Sequence, residues 1–320
     1  MQNLVELRWN PVFKEWVIIA GHRTKRPNLP TKSKCPFCPG AEELKNFKDW
    51  KYLNLPNKFP SLSLSPPEPD LKDDGIYRVR PAMGLCEVIL YSPHHDGKLE
   101  EQSIDHITGL ISFWGKRYQE IGKIDGIEYV LIFENRGRDV GVSLDHPHGQ
   151  IYSFSFIPTN IKRELDASRR HHKKNNECLF CEIVEKEQKF DKRVIMQNDS
   201  FICFIPFYGT WPYGPHIYPK RHIQSILQLD NNEKQDLAKM LKEILIKFNK
   251  LFDNKHSFEM VFHQEPTDGN QYPHYHFHIE FYVVNRAKEK VKYLGGCELG
   301  SGTFINPISP EDAAETLREL

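Results

Sequence analysis

Residues 134–150 read Glu-Asn-Arg-Gly-Arg-Asp-Val-Gly-Val-Ser-Leu-Asp-His-Pro-His-Gly-Gln, and this stretch decides the fold. It places His146 and His148 two residues apart, between a glycine-bearing turn and the pair Gly149-Gln150. In an extended backbone, side chains two apart share a face at roughly 7 Å. That separation suits two neighbouring jobs, with one imidazole holding a metal and the other facing a substrate. Taken alone, a His-x-His is as well explained by two ordinary histidines. The surface or core reading weakens here because a Cys-x-x-Cys and an isolated histidine stand upstream to complete a metal site.

Working outward, the same ordered set occurs twice. Cys35-Pro-Phe-Cys38, Ser92-Pro-His-His95 and the motif from His146 make the first series. Cys178-Leu-Phe-Cys181, Tyr218-Pro-Lys-Arg-His222 and His274-Tyr-His-Phe-His278 make the second. Counted to His146 and His274, the spacing from single histidine to motif is 51 residues in one and 52 in the other, and Cys35 precedes Cys178 by 143. Two ordered ligand series in halves of similar size predict a duplicated unit. The halves are expected as domains 1–168 and 175–320, which suits a chain of 320 residues. Between them, Arg169 to Asn176 is charged and lacks apolar periodicity, reading as a solvated linker or helix end rather than an anion patch.

Each series carries the ligand types of a tetrahedral structural zinc site. Cys35, Cys38, His95 and His146 form one Cys2His2 set; Cys178, Cys181, His222 and His274 are expected to form another. Two thiolates neutralise a dication, so such a site tolerates a low-dielectric setting. The alternative for either pair is a redox dithiol or a buried turn. Seven cysteines is an odd count, and Cys86, Cys203 and Cys297 read as ordinary buried thiols. Dithiols of a reducing compartment are more often ligands than disulfides.

Apolar periodicity predicts helices over residues 100–121 and 231–252, the latter opened by a capping-box pair of Asp230 and Glu233. Strands are expected over 127–133, 258–263 and 275–284. In the last, Phe277, Ile279 and Phe281 alternate with His274, His276, His278 and Glu280, an unusual polar row. Mixed helix and strand in each half predicts an α+β fold. A formal net charge of +0 offers no basic field for nucleic acid. With no apolar signal core and no run near ~18 apolar residues, no membrane partner is expected and the location reads as cytoplasmic.

His148 carries the remaining chemistry. An imidazole titrates near pH 6.5 in water, so its neutral form is present at pH 7. It can attack phosphorus and split one transfer into two. Asn135, Gly141 and Ser143 offer donors on the turn, and Gln150 follows on the face of His148. Arg23 and Arg26, in His22-Arg-Thr-Lys-Arg-Pro27, suit phosphate oxygens or, equally, an exposed basic turn. An amide at position 150 supplies no proton near neutral pH. A sugar phosphate leaves without acid help, whereas attack by water needs more, so Gln150 favours transfer over hydrolysis.

Together His146–Gln150, His22–Pro27, Cys35–Cys38, Ser92–His95 and Phe133-Glu-Asn-Arg-Gly137 resemble the galactose-1-phosphate uridylyltransferase family of the histidine-triad superfamily. The resemblance runs through Trp211–His222 and Gly295–Glu319, nearly the whole chain. It implies two tandem histidine-triad-like domains, each a mainly antiparallel half-barrel sheet with flanking helices, in a homodimer. It implies that His148 takes UMP from UDP-glucose and passes it to galactose-1-phosphate in a ping-pong cycle. Gln150 would then hydrogen-bond the transferring group, and Asn135, Gly141 and Ser143 would line the phosphates. Arg23, Arg26 and Asn57 would bind nucleotide or phosphate, and Lys292, Tyr293 and Glu298 the hexose. Zn2+ is the implied cofactor, at two sites per chain, with iron possible at the second.

Some residues depart from the family pattern. Many members carry a Glu and His iron-type site in the second half instead of Cys-x-x-Cys. Cys178-Leu-Phe-Cys181 and the tail from Gly295 resemble a plant ADP-glucose phosphorylase. Cys297 replaces an aromatic residue and Phe304 a sugar-contacting Gln. Glu185, His263, His278 and Glu280 form an alternative second metal set. His276 reads as structural or dimer-supporting rather than as a second nucleophile, because no Gly-x-Ser turn precedes it. A nucleoside-diphosphate-hexose phosphorylase and a zinc-stabilised nucleotide-binding protein without activity are the competing readings.

Overall fold

The computed structural model describes residues 5–25, 35–142, 144–254 and 256–320. Arg26 and Ser143 therefore lie outside the described residues. In chain order the strands are β1 (Val5–Asn10), β2 (Glu15–Ala20), β3 (Leu53–Pro56), β4 (Val79–Pro81), β5 (Gly84–Leu90), β6 (Tyr129–Arg136) and β7 (His148–Phe154). The second half adds β8 (Val194–Gln197), β9 (Phe201–Phe204), β10 (His216–Pro219), β11 (Phe258–His263), β12 (His278–Val283), β13 (Asn285–Ala287) and β14 (Lys290–Val291). The helices are α1 (Ile104–Gly122), α2 (Thr159–Asn175), α3 (Leu179–Phe190), α4 (Asn231–Phe252), α5 (Gly296–Ser301) and α6 (Pro310–Glu319).

A nine-stranded antiparallel sheet in the order β3-β5-β7-β6-β11-β12-β10-β9-β8 spans both halves. Its seam is β6 against β11, with Met260 opposite Glu134 and Glu259 opposite Asn135. The duplication is visible in the order of parts: α1, β6 and β7 in the first half correspond to α4, β11 and β12 in the second. Each unit ends on a strand that begins with a histidine. β1, β2 and β4 form a separate small sheet, where the Arg80 guanidinium lies 4.2 Å from the Trp16 ring centroid.

The helices form where periodicity predicts them, with ends set by caps. Ser103 Oγ accepts from the His106 amide, so α1 starts at Ile104 and the residues expected as its first turn form a separate short turn over Leu99–Glu101. Asp230 and Glu233 make the capping box of α4. Ile107, Leu110, Ile111 and Trp114 of α1 and Leu237, Leu241, Ile244 and Phe248 of α4 are completely buried in one core, packed under the sheet. Each such side chain contributes about 1.5–3 kcal/mol by leaving water. The basic run 169–176 closes α2, where His172, Lys173 and Lys174 occupy the last turn and Asn176 takes a left-handed φ of 57°. Positive charge there favours the negative end of the helix dipole.

Strand alternation sorts the faces. On β7, Gly149, Ile151 and Ser153 are buried toward the helices, while His148, Gln150 and Tyr152 face the other way. On β6, Ile132 and Glu134 point to the helices, and Phe133 and Asn135 share the face of His148. Gly149 is required because a Cβ there would run into the Tyr91 hydroxyl and come to 3.0 Å from the Phe133 carbonyl oxygen. Gly149→Ala should therefore cost about 1–3 kcal/mol by overpacking and lower the melting temperature in scanning calorimetry.

Candidate functional site

The first ligand series closes into a cluster. Cys35, Cys38, His95 and His146 each bring one ligand atom, all within 4.8 Å of one another. Cys38 Sγ lies 3.5 Å from His95 Nδ1 and 3.8 Å from His146 Nδ1, and Cys35 Sγ lies 3.8 Å from His146 Nδ1. A tetrahedral zinc with its usual bond lengths sets sulfur and nitrogen about 3.5 Å apart, so the donors fit that ion. His146 Nε2 donates to the Ser92 carbonyl at 2.8 Å, which leaves Nδ1 as the ligating nitrogen. Burial and the adjacent Cys38 push the Cys35 thiol up to about 11.

Two residues on, at the start of β7, His148 lines a cavity instead of the cluster. Its Nδ1 lies 2.7 Å from the His146 carbonyl oxygen and donates to it, making Nε2 the lone-pair nitrogen. The strand presents this ring to a cavity of about 880 Å3. Phe37, Leu55, Phe59, Val88, Val140 and Leu144 give that cavity apolar walls, and Arg23, Asn57, Asn135, Gly141, Gln150 and Tyr152 its polar ones. Arg23 is held by the Phe59 carbonyl at 3.2 Å and by Ser61 Oγ, so its charge is fixed at the rim. The Asn57 side-chain Oδ1 accepts from the Phe59 amide at 2.9 Å and shapes the same edge. Gly137 and Gly141 have φ of 94° and 77°, left-handed values that the turn above His148 needs.

Of the residues expected at this site, His148, Gln150, Arg23, Asn57, Asn135 and Gly141 come together. Lys292, Tyr293 and Glu298 do not line the cavity: Lys292 Nζ pairs with Glu298 at 2.8 Å, both buried, and Tyr293 is 82 % exposed. Sequence reasoning missed Tyr152, although period-2 counting from His148 and Gln150 would have found it. It also missed the aromatic wall of Phe37, whose ring centroid lies 5.3 Å from that of His148.

The second series closes differently from the expectation. Its members are Cys178, Cys181, His222 and His276, not His274. Cys181 Sγ lies 3.2 Å from His222 Nδ1 and 3.4 Å from His276 Nδ1. The reason is register. β12 begins at His278 as β7 begins at His148, so the ligand two residues earlier is His276, the counterpart of His146. The spacing from His222 is then 54 residues against 51 in the first half, and the near-equality of 51 and 52 misled. The segment expected as the start of the strand stays irregular, with the His276 Nε2 donating to the Pro219 carbonyl at 3.0 Å. Among the described residues, His274 Nε2 has no hydrogen-bond partner.

His278 and Glu280 thus hold the places of His148 and Gln150. The carbonyl of His276 accepts from His278 Nδ1 at 3.0 Å, as that of His146 does from His148. Here the ring is buried and stacked on Tyr218 at 4.7 Å instead of facing a cavity. It joins Glu164, His263 and Glu280 in a third cluster. Glu164, on α2, takes the place expected for Glu185, which is exposed on α3. Burial disfavours a charge on His263, yet the carboxylates of Glu164, 2.9 Å away, and Glu280 push it up to about 9. No spacing signal connects Glu164 with histidines a hundred residues later.

An antiparallel sheet whose histidine strand is braced by a Cys2His2 cluster and faces a cavity of about 880 Å3 fits a nucleotidyltransferase. Residues 1–158 and 164–320 match the N-terminal and C-terminal domains of galactose-1-phosphate uridyl transferase. The chain belongs to that family. It is 38% identical over 317 residues to a galactose-1-phosphate uridylyltransferase of Thermotoga maritima, covering 99% of this chain and 98% of that one. A solved uridylyltransferase structure superposes with a TM-score of 0.88 at 35% identity, covering 98% and 97%. An ADP-glucose phosphorylase from Arabidopsis thaliana, with ADP-glucose bound, superposes with a TM-score of 0.76 at 27% identity, covering 99% of each chain.

The corrected register has a direct check. Elemental analysis of purified variants should show one metal equivalent lost in His276→Ala and none in His274→Ala. The reverse pattern would refute the assignment.

Proposed function

We propose that this enzyme transfers UMP from UDP-glucose to galactose-1-phosphate. The observation that carries the reading is His148, its Nδ1 donating to the His146 carbonyl, set on the floor of a cavity that also holds Arg23, Asn57, Asn135 and Gln150. Nε2 attacks the α-phosphorus, and the bond to the glucose-1-phosphate oxygen breaks with its electron pair leaving on that oxygen. Galactose-1-phosphate then attacks the same phosphorus and releases His148. Neither step calls for a proton from position 150, which agrees with Gln150. The apolar walls take the base, and Arg23 and the turn at Gly141, with Arg26 and Ser143 beyond the described residues, serve the phosphates.

Zn2+ is assigned to both Cys2His2 clusters, where it supplies folding free energy rather than chemistry; iron remains the alternative for a second-half site. The domains are assigned as 1–168 and 175–320, meeting within α2. A homodimer is assigned because Tyr293, Leu299 and Ile305 are exposed apolar side chains beside Lys292 and Glu298, the hexose residues that the cavity of their own chain lacks. No described helix is long and apolar enough to cross a membrane, in keeping with a cytoplasmic location. The Cys178, Cys181, His222 and His276 cluster favours a second reading, an ADP-glucose phosphorylase that uses the same His148 with phosphate as acceptor.

Mass spectrometry after incubation with UDP-glucose or ADP-glucose, without acceptor, separates the two. A UMP adduct on the His148 peptide, discharged by galactose-1-phosphate and absent in His148→Ala, is expected. An AMP adduct discharged by phosphate would establish the phosphorylase instead. Gln150→His should raise UDP-glucose hydrolysis relative to transfer, measured as glucose-1-phosphate released without acceptor, because an imidazole there can serve proton transfer to or from water.

A further inference from the structure

Behind the His148 strand, on the face away from substrate, lies a buried ionic chain that the transfer chemistry above does not use. Arg136 Nε donates to Glu134 Oε1 at 2.9 Å, and Arg136 Nη1 to Glu100 Oε2 at 2.7 Å. Asn249 Nδ2 donates to the other Glu100 oxygen at 2.9 Å. Glu134 is 2 % exposed and Glu100 5 %. Burial raises the Glu134 carboxyl, but Arg136 beside it favours the ionised form. Among the described residues, Glu134 Oε2 and Arg136 Nη2 have no hydrogen-bond partner.

The position of this chain relative to His148 is set by register. Phe133 pairs with Gln150; one step further along β6 brings Glu134 across from Gly149, the residue between His148 and Gln150. The Tyr91 phenol, which a Gly149 Cβ would strike, sits beside the Glu134 carboxyl, whose charge with burial pushes the phenol well above its usual range. Glu134, Glu100, Arg136, His146 and His148 also share the wall of a cavity of about 250 Å3. Two carboxylates and one guanidinium leave one net negative charge. Lys98 and Asp145 on the same wall cancel, and burial lowers His256 to about 4, so it is neutral at pH 7.

We propose that the Glu134–Arg136–Glu100 triad stabilises the cation formed on His148 during transfer, with Glu134 as a positioning residue behind the nucleophile. The inference rests on the transferase reading. When Nε2 forms its bond to phosphorus and the sugar phosphate departs with the electron pair, Nδ1 keeps its proton on the His146 carbonyl. The ring passes from neutral to cationic. A fixed negative charge in a low-dielectric setting lowers the free energy of that cation without reorganising as the charge appears. It acts through the field on the ring and touches no substrate atom.

The test is the first half-reaction of Glu134→Gln, with adduct on the His148 peptide followed by mass spectrometry after mixing with UDP-glucose. Adduct should form roughly tenfold more slowly, reach a lower level, and discharge to water faster than in wild type, with KM for the nucleotide sugar little changed. A merely loosened strand would slow formation and discharge together, so slower discharge would overturn the proposal. So would rates unchanged within about twofold in a variant of wild-type metal content and melting temperature. If Glu134→Gln does not fold, Glu100→Gln removes the same charge one ion pair further away and should show the same pattern at roughly threefold; unchanged rates there would overturn it equally. Wild-type enzyme that forms no adduct would refute the transferase reading itself, and this proposal with it, which is distinguishable from an adduct indifferent to Glu134.

Discussion

The structure depends on one hydrogen bond, from His148 Nδ1 to the carbonyl oxygen of His146. It makes the two histidines a single device. His146 is anchored on its side chain, by Ser92 at one nitrogen and the cysteine cluster at the other. Its own carbonyl then fixes the tautomer and tilt of the ring two residues on. The Cys2His2 cluster takes the side chain of His146 and the cavity that of His148, and one carbonyl ties the two neighbouring rings together. The cavity, the Gly141 turn and Arg23 are all arranged around where that one nitrogen points.

The second half keeps the device and changes its use. His276 and His278 repeat the carbonyl bond, but Tyr218 covers the ring that should face substrate, and Glu280 stands where the amide was. That imidazole is buried beside the carboxylates of Glu280 and Glu164 instead of lining a cavity. It belongs to a cluster whose other members come from α2, β11 and its own strand β12. The shared sheet thus carries one copy whose histidine lines a cavity and one whose histidine is buried.

Much of this was legible in the residues. Helices α1 and α4 follow from apolar spacing, and Cys35-x-x-Cys38 with His95 and His146 follows from ligand type. What failed was a count: His274 satisfied the spacing from His222, whereas the strand start at His278 selects His276. Linear spacing is blind to the longer loop that leads into β12. Glu164 had no signal because it arrives from a helix a hundred residues before its partners. Glu134 hid in plain view inside the opening stretch, since a buried carboxylate on a strand is recognised only when Arg136 and Glu100 are seen beside it. The departures at Cys297 and Phe304 fall in a segment that the cavity of the same chain does not include.

The seam between β6 and β11 has a consequence for how the molecule can be divided. Both strands occupy the middle of one continuous sheet. Severing the chain in α2 and parting the halves would bare two long edges of unpaired amides and carbonyls, each a template for indiscriminate association. One of those edges is the strand that carries Asn135 and Glu134. The second half is therefore the cover of the first half's open flank, a structural reason to retain both copies on one chain.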